Sequence, residues 1–173
     1  MNKLLVIVRH GEYGNGEHSS LSESGRKQIE SLKRVIDALV AETFGDEKST
    51  RVGICFSRFP RAVESIQGLA MKRDDIIMTN LYMVERKDIR EPHKILEKVM
   101  GIGSVCDASV VTIVVHGEMP AVLAETAHEF VTGKKFANEL PRVGTGRGFV
   151  VNMVTGEVMP IGWDSLEKKE RPP

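Results

Sequence analysis

Two histidines in this chain each follow directly on an unbroken apolar run. Leu4-Leu5-Val6-Ile7-Val8 leads into Arg9-His10-Gly11-Glu12, and Val110-Val111-Thr112-Ile113-Val114-Val115 leads into His116-Gly117. Short apolar runs of this kind read as buried strands. In open α/β sheets, ligands bind in the crevice beyond the carboxyl ends of such strands. Packing alone gives no reason for two strands to end in His-Gly. Arg61, in Ser57-Arg58-Phe59-Pro60-Arg61-Ala62, comes just after a further apolar run and on the first turn of a helix that Pro60 can open. Parallel strands present their carboxyl ends on one sheet edge, so Arg9, His10, Arg61 and His116 can converge, with Glu85 on a later loop. Two guanidinium groups and two imidazoles around one point suit a dianionic, tetrahedral group, because the planar fork of arginine donates paired hydrogen bonds to phosphate oxygens. The backbone N–H groups of Gly117 and Glu118, opening the next helix, would add donors to the same anion.

Four segments together carry a family resemblance: Arg9-His10-Gly11, Leu21-Ser22-x-x-Gly25-x-x-Gln28, Ser57-x-x-x-Arg61-Ala62-x-x-Ser65 and His116-Gly117. In this order, and over about residues 3–153, the chain resembles the histidine phosphatase superfamily, the group that includes cofactor-dependent phosphoglycerate mutases and many small phosphatases. The resemblance implies that His10 is the nucleophile that accepts the phosphoryl group as a phosphohistidine. It implies that Arg9, Arg61 and His116 hold that group and the charge on its equatorial oxygens. His10 must then attack as neutral imidazole, and water hydrolyses the phosphoenzyme. No metal and no cofactor are implied, since the arginines carry the charge. Glu85 matches the family's acidic residue only by its distance after Arg61, and Asp88 and Glu118 are rivals for the general acid. Arg58 stands where Pro or Ser is common and would add positive charge at the mouth. The loop Glu12-Tyr13-Gly14-Asn15 departs from the family pattern, with Asn15 one position out of register and without an assigned role.

The elements that must position these residues alternate. Strands are expected at 3–9, 51–56, 76–78 and 110–115. A helix starts near Ser22 or Ser24, with Ile29, Leu32, Val35, Ile36, Leu39 and Val40 forming one apolar stripe, and ends at Phe44-Gly45-Asp46. Further helices are expected from Pro60 to about residue 71, from Pro92 to a break at Gly101-Ile102-Gly103, and from about Glu118 to Val131. The stretch from Leu81 to Glu91 reads as loop. Residues 147–153 and 157–161 alternate around Thr155-Gly156, which suggests a terminal β-hairpin. The expectation is an α/β fold, a three-layer α/β/α arrangement around a mostly parallel sheet and phosphoglycerate mutase-like, as one domain over 1–163 with a mobile tail at 164–173.

Lys+Arg and Asp+Glu are equal at 24 each, so the net charge is zero. A nucleic-acid or membrane-surface binder would need a basic excess, so neither partner is expected. No apolar stretch approaches the roughly 18 residues that span a bilayer, and the N-terminal run lacks a cleavage site. Cys55 and Cys106 form no CxxC pair, and Cys55 reads as a reduced core thiol, which makes cytoplasm the expected location. Other apparent motifs fail their context. Gly144-Thr145-Gly146-Arg147-Gly148 precedes a strand and cannot be a dinucleotide fingerprint. Glu125 and His128 lack the second Glu-x-x-His of a di-iron site. His18, His93 and His128 lack metal-ligand spacing and read as solvated surface residues.

The gap between Glu85 and the strand at Val110 is too short for the lid-forming insertions of mutase and sugar-phosphate members. In this the chain resembles the short SixA-like bacterial phosphohistidine phosphatases. A phosphoprotein, with phosphohistidine as its modified residue, is therefore the expected substrate. A small phosphate ester and a non-catalytic phosphate-binding regulator are the alternatives, while mutase activity would need a closed site.

Overall fold

A computed structural model of the chain describes residues 3–16, 19–45, 50–55, 57, 59–69, 76–79 and 91–162, with backbone alone at 76–79 and 105. Chain order is β1 (Leu4–Arg9), α1 (Glu23–Phe44), β2 (Arg51–Cys55), α2 (Pro60–Leu69), β3 (Ile76–Thr79), α3 (Pro92–Val105), β4 (Val110–Val115), α4 (Met119–Thr132), β5 (Gly148–Asn152) and β6 (Val158–Ile161). The strands form one six-stranded sheet in the order β3-β2-β4-β1-β5-β6. The β3-β2-β4-β1 part is parallel, and β5 and β6 add antiparallel at one side. Glu85, Asp88, Arg58 and His18, and the tail 164–173, lie outside the described residues.

Alternation along β1 splits the core into two layers, since successive strand side chains point to opposite faces. Leu5 and Ile7 pack with Leu96, Val99, Leu123 and Ala124 of α3 and α4, while Leu4, Val6 and Val8 pack with Leu32, Ile36, Ile66 and Leu69 of α1 and α2. This is the expected three-layer α/β/α arrangement. It also places α1, which follows β1, and α4, which follows the neighbouring strand β4, on opposite faces. The order of the sheet therefore reverses between β1 and β4, and a crevice must open at their carboxyl ends.

Local chemistry sets most boundaries. Ser22 caps α1, its Oγ accepting from the Gly25 N–H at 3.0 Å, and Gly45 closes the helix at φ +75 with its N–H on Ala41 O. The expected break at Gly101-Ile102-Gly103 does not occur, because α3 runs on to Val105. A Cβ on Gly103 would stand 2.7 Å from Val111 Cγ2. That glycine lets α3 lie close on β4, and the packing gained outweighs the roughly 1 kcal/mol that a glycine costs a helix. The terminal hairpin forms as expected. His128 is not a solvated residue: it is half-buried, its Nδ1 hydrogen-bonds Gly156 O at 2.8 Å, and its ring meets Phe136 edge-on. It ties α4 to the β5-β6 turn. Among the described residues, no helix is long and apolar enough to cross a membrane.

Candidate active site

Register alone brings the two histidines together. Arg9 is the partner of Val115 across the β1-β4 ladder, so His10 and His116 each stand one residue past a paired position. Their ring centroids are 4.8 Å apart. The His10 backbone N–H donates to Val115 O, which keeps the two strand ends in step beyond the sheet. His10 is only 3% exposed. Its Nδ1 lies 2.8 Å from the carbonyl of Gly11, which can only accept, so Nδ1 carries the proton and Nε2 keeps the lone pair.

The segments flanking the site hold the Arg9–Glu12 turn from three sides. From α1, Gly25 packs so tightly that a Cβ there would collide with the Glu12 carbonyl, and Gln28 Oε1 accepts from the Glu12 N–H at 2.9 Å. From α2, Ser65 Oγ accepts from the Gly11 N–H at 3.0 Å and donates to Arg61 O at 2.6 Å. From the segment before β5, Arg147 O accepts from the Arg9 N–H, the Gly146 N–H donates to the Arg9 and His10 carbonyls, and Val143 O accepts from Arg9 Nη1 at 3.0 Å. Gly144–Gly148 thus works as a clasp on the turn, which explains its glycines: Gly146 has φ +67, and a Cβ on Gly148 would collide with the Ile7 carbonyl.

Arg61 enters from the first turn of α2 and is 7% exposed. Its guanidinium carbon lies 4.2 Å from the ring centroid of Tyr13 and 4.5 Å from that of Phe59. Tyr13 also meets His10 at 5.3 Å between centroids, and Phe59 meets His116 at 5.5 Å, both edge-on. Neither aromatic residue was singled out by sequence reasoning. A signal existed: the chain has only two tyrosines and six phenylalanines, and two of these eight flank the RHG and Arg61 motifs.

Electrostatics keep both imidazoles neutral. Burial lowers the His10 pKa to about 4, against the opposing hydrogen bond to Gly11 O, with the charges of Arg61 and Arg9 adding to the depression. Burial likewise lowers His116 to about 4, followed by the effects of His10, Arg61 and Arg9. Among the described residues, Arg9 Nε and His116 Nε2 are buried polar atoms without a hydrogen-bond partner. Ser109 Oγ, before β4 at the other end of the sheet, is a further orphan. Buried polar atoms are nearly always paired, so the two at this edge could take up a ligand's hydrogen-bonding atoms. Gly117 has φ +56, a backbone region that favours glycine, and turns the chain into α4. Glu118 is the N-cap of α4 without a side-chain cap bond, and its carboxylate pairs with Arg142 at 3.1 Å in an exposed position.

The structure therefore brings together Arg9, His10, Arg61, His116 and Gly117, and adds Tyr13 and Phe59. Of the three carboxylates considered for the acid, only Glu118 lies among the described residues. Asn15 is exposed on the loop after the site, its carbonyl accepting from Ser19 Oγ.

No family model and no curated protein matches the chain at the sequence level. Solved structures do. The protein assigned as phosphohistidine phosphatase SixA from Nakamurella multipartitia superimposes with a TM-score of 0.63 at 14% identity, over 92% of this chain and 94% of its own. The phosphoglycerate mutase from Bacillus anthracis gives 0.56 at 11% identity, over 91% of each chain. The mycobacterial glucosyl-3-phosphoglycerate phosphatase gives 0.54 at 14% identity, over 86% of this chain and 92% of its own. The chain shares the fold of these phosphatase and mutase structures.

Proposed function

We propose that this protein is a phosphatase that works through a covalent phosphohistidine on His10. The observation that carries the reading is the state of His10: buried, neutral, with Nδ1 engaged by Gly11 O, beside His116 and within the fields of Arg9 and Arg61. A neutral imidazole with one free lone pair is a competent nucleophile. In the first step the Nε2 lone pair forms a bond to phosphorus while the bond to the leaving group breaks. The leaving group takes the bonding electrons and a proton from the site's acid, for which Glu85 is the candidate, and the water of the second step returns that proton to it. In the second step water attacks the phosphohistidine, the N–P bond breaks, and phosphate leaves with His10 neutral again. Arg9, Arg61 and His116 stabilise the charge on the equatorial oxygens in both steps, with the Gly117 N–H as a further donor.

The substrate we favour is a phosphoprotein carrying phosphohistidine. One fact supports it: the connection from β3 to α3 is short. A phosphorylated imidazole also leaves with less acid assistance than an alkoxide does. That fits a site whose acid, Glu85 with Asp88 and Glu118 as rivals, is the least defined member. Arg58, three residues before Arg61 in sequence, would favour an acidic surface around the modified residue. A reducing cytoplasm suits the two free cysteines, Cys55 and Cys106.

The test is phosphate release from a phosphohistidine peptide and from p-nitrophenyl phosphate, without added metal, for wild type and His10→Ala. Turnover of the peptide that His10→Ala abolishes is the expected result. Faster turnover of the small ester would move the substrate to small phosphate esters. Phosphate binding without turnover of either would make the protein a phosphate-binding regulator and overturn the proposal.

A further inference from the structure

Arg61 is gripped rather than merely buried. Its guanidinium lies over two aromatic rings at 4.2 and 4.5 Å, one from the loop after β1 and one from the turn before α2. A second connection fixes the loop that carries the first ring. Tyr13 pairs with Leu21 in an isolated antiparallel bridge, with Gly14 N–H on Ser20 O. The Leu21 N–H donates to Glu64 Oε2 at 3.0 Å, and Glu64 stands one turn beyond Arg61 on the same helix. Arg61, Tyr13, Leu21 and Glu64 thus form a closed circuit in which the helix that supplies the arginine also anchors its clamp.

We propose that Tyr13 and Phe59 are positioning residues that hold the Arg61 guanidinium ready for a phosphoryl group, with Glu64 fixing the loop that carries Tyr13. An arginine side chain left to itself samples many rotamers, and ordering it when a ligand arrives costs affinity. Aromatic rings attract the cation through their π faces, and the N–H donors of a guanidinium lie in its plane, where a phosphate can take them. The edge contacts of the same rings with His10 and His116 place both imidazoles against the clamp, so one pair of aromatics orients three of the site's groups.

The binding arm of the test does not depend on the proposed activity; only its kinetic arm rests on the phosphatase reading. Full-length Tyr13→Leu, Tyr13→Phe, Phe59→Leu and Arg61→Lys, and the double variant Tyr13→Leu with Arg61→Lys, are compared with wild type. Titration calorimetry reads the affinity for inorganic phosphate, and p-nitrophenyl phosphate hydrolysis reads kcat and KM. Tyr13 is 39% exposed, so replacing it leaves the core intact. Tyr13→Leu and Phe59→Leu, which keep apolar bulk but lose the ring, should each weaken phosphate binding roughly three- to tenfold. The kinetic loss should fall more on kcat than on KM. Tyr13→Phe, which keeps the ring, should restore affinity to within about twofold. In the Arg61→Lys background the Tyr13→Leu effect should largely vanish, whereas a merely structural effect would simply add. Unchanged affinity in both leucine variants, equal losses in Tyr13→Phe and Tyr13→Leu, or strict additivity with Arg61→Lys would overturn the clamp. Wild type that binds phosphate but hydrolyses nothing would overturn the phosphatase reading alone, and absence of phosphate binding by wild type would overturn both.

Discussion

Two arginines at opposite ends of β2 are buried to the same degree, 7% exposed, and their surroundings differ in kind. Arg51, at the amino end, meets the carboxylate of Asp37 at 2.6 Å, and Lys33 completes the cluster at 3.0 Å. Burial would raise the Asp37 pKa, but hydrogen bonds from Arg51 and Lys33 override it and hold the carboxyl below its ordinary value. Arg61, just past the carboxyl end, lies over two aromatic rings, and its charge reaches far enough to lower both neighbouring histidines. The first arginine is neutralised and serves α1 and β2 as a structural tie. The second stands where its charge acts on two imidazoles, the arrangement that the proposed phosphoryl site would use. A buried cation costs desolvation in both places.

The strongest way to break this comparison is at His10, the proposed nucleophile beside Arg61. His10→Ala should lower phosphatase turnover by about a thousandfold or more, read as phosphate release. Residual turnover within tenfold of wild type would remove the functional half of the contrast. Next, Arg61→Ala should cut kcat/KM roughly 10²- to 10³-fold, with the thermal midpoint little changed. Arg51→Ala should do the reverse, losing about 1–3 kcal/mol in denaturant unfolding with kcat unaltered. The loss is modest because Asp37 is partly solvated. Equal effects of the two substitutions on activity would show that the contrast is not functional.

A third expectation concerns the field itself. With both imidazoles lowered from 6.5 to about 4, the unfolded chain binds more protons than the native one between those values. Stability should therefore decline as pH falls from about 6.5 toward 4, and the native histidines should titrate near 4 by NMR in phosphate-free buffer. Added inorganic phosphate should raise both midpoints, because a bound anion favours the imidazolium form. Midpoints near 6.5 without phosphate would contradict the burial and the field together. The smallest effect belongs to Ser65→Ala. It removes the acceptor of the Gly11 N–H and the link to Arg61 O, and should cost about 1–2 kcal/mol with up to a tenfold loss of turnover.

Much of the fold was legible because its signals are local. The apolar runs at 4–8 and 110–115, the Ser22 cap, Pro60 at the start of α2 and Thr155-Gly156 in the hairpin each act through near neighbours in sequence. The α3 helix was read too short because Gly103 is explained by Val111, which is local only in space. His128 was placed on the surface for the same reason, its partner Gly156 being 28 residues away. Gly144–Gly148 runs into β5 as its sequence implies, yet its clasp on the Arg9–Glu12 turn could not be inferred from its own residues. Arg9, His10, Arg61, His116 and Gly117 were legible as types at strand and helix ends, which parallel topology carries to one edge.

The sequence by itself determined which residues could do the chemistry and on which elements they ride, because motif identity and hydrophobic period are written along the chain. Only the tertiary structure decided the state of those residues. Burial and the fields of two arginines set both histidines neutral, a carbonyl next door fixed the His10 tautomer, and two aromatic rings 46 positions apart met over Arg61. Desolvation and cation–π contact depend on what stands within a few ångströms, and that is settled only when β1, β2 and β4 pair and α1 and α2 close over them.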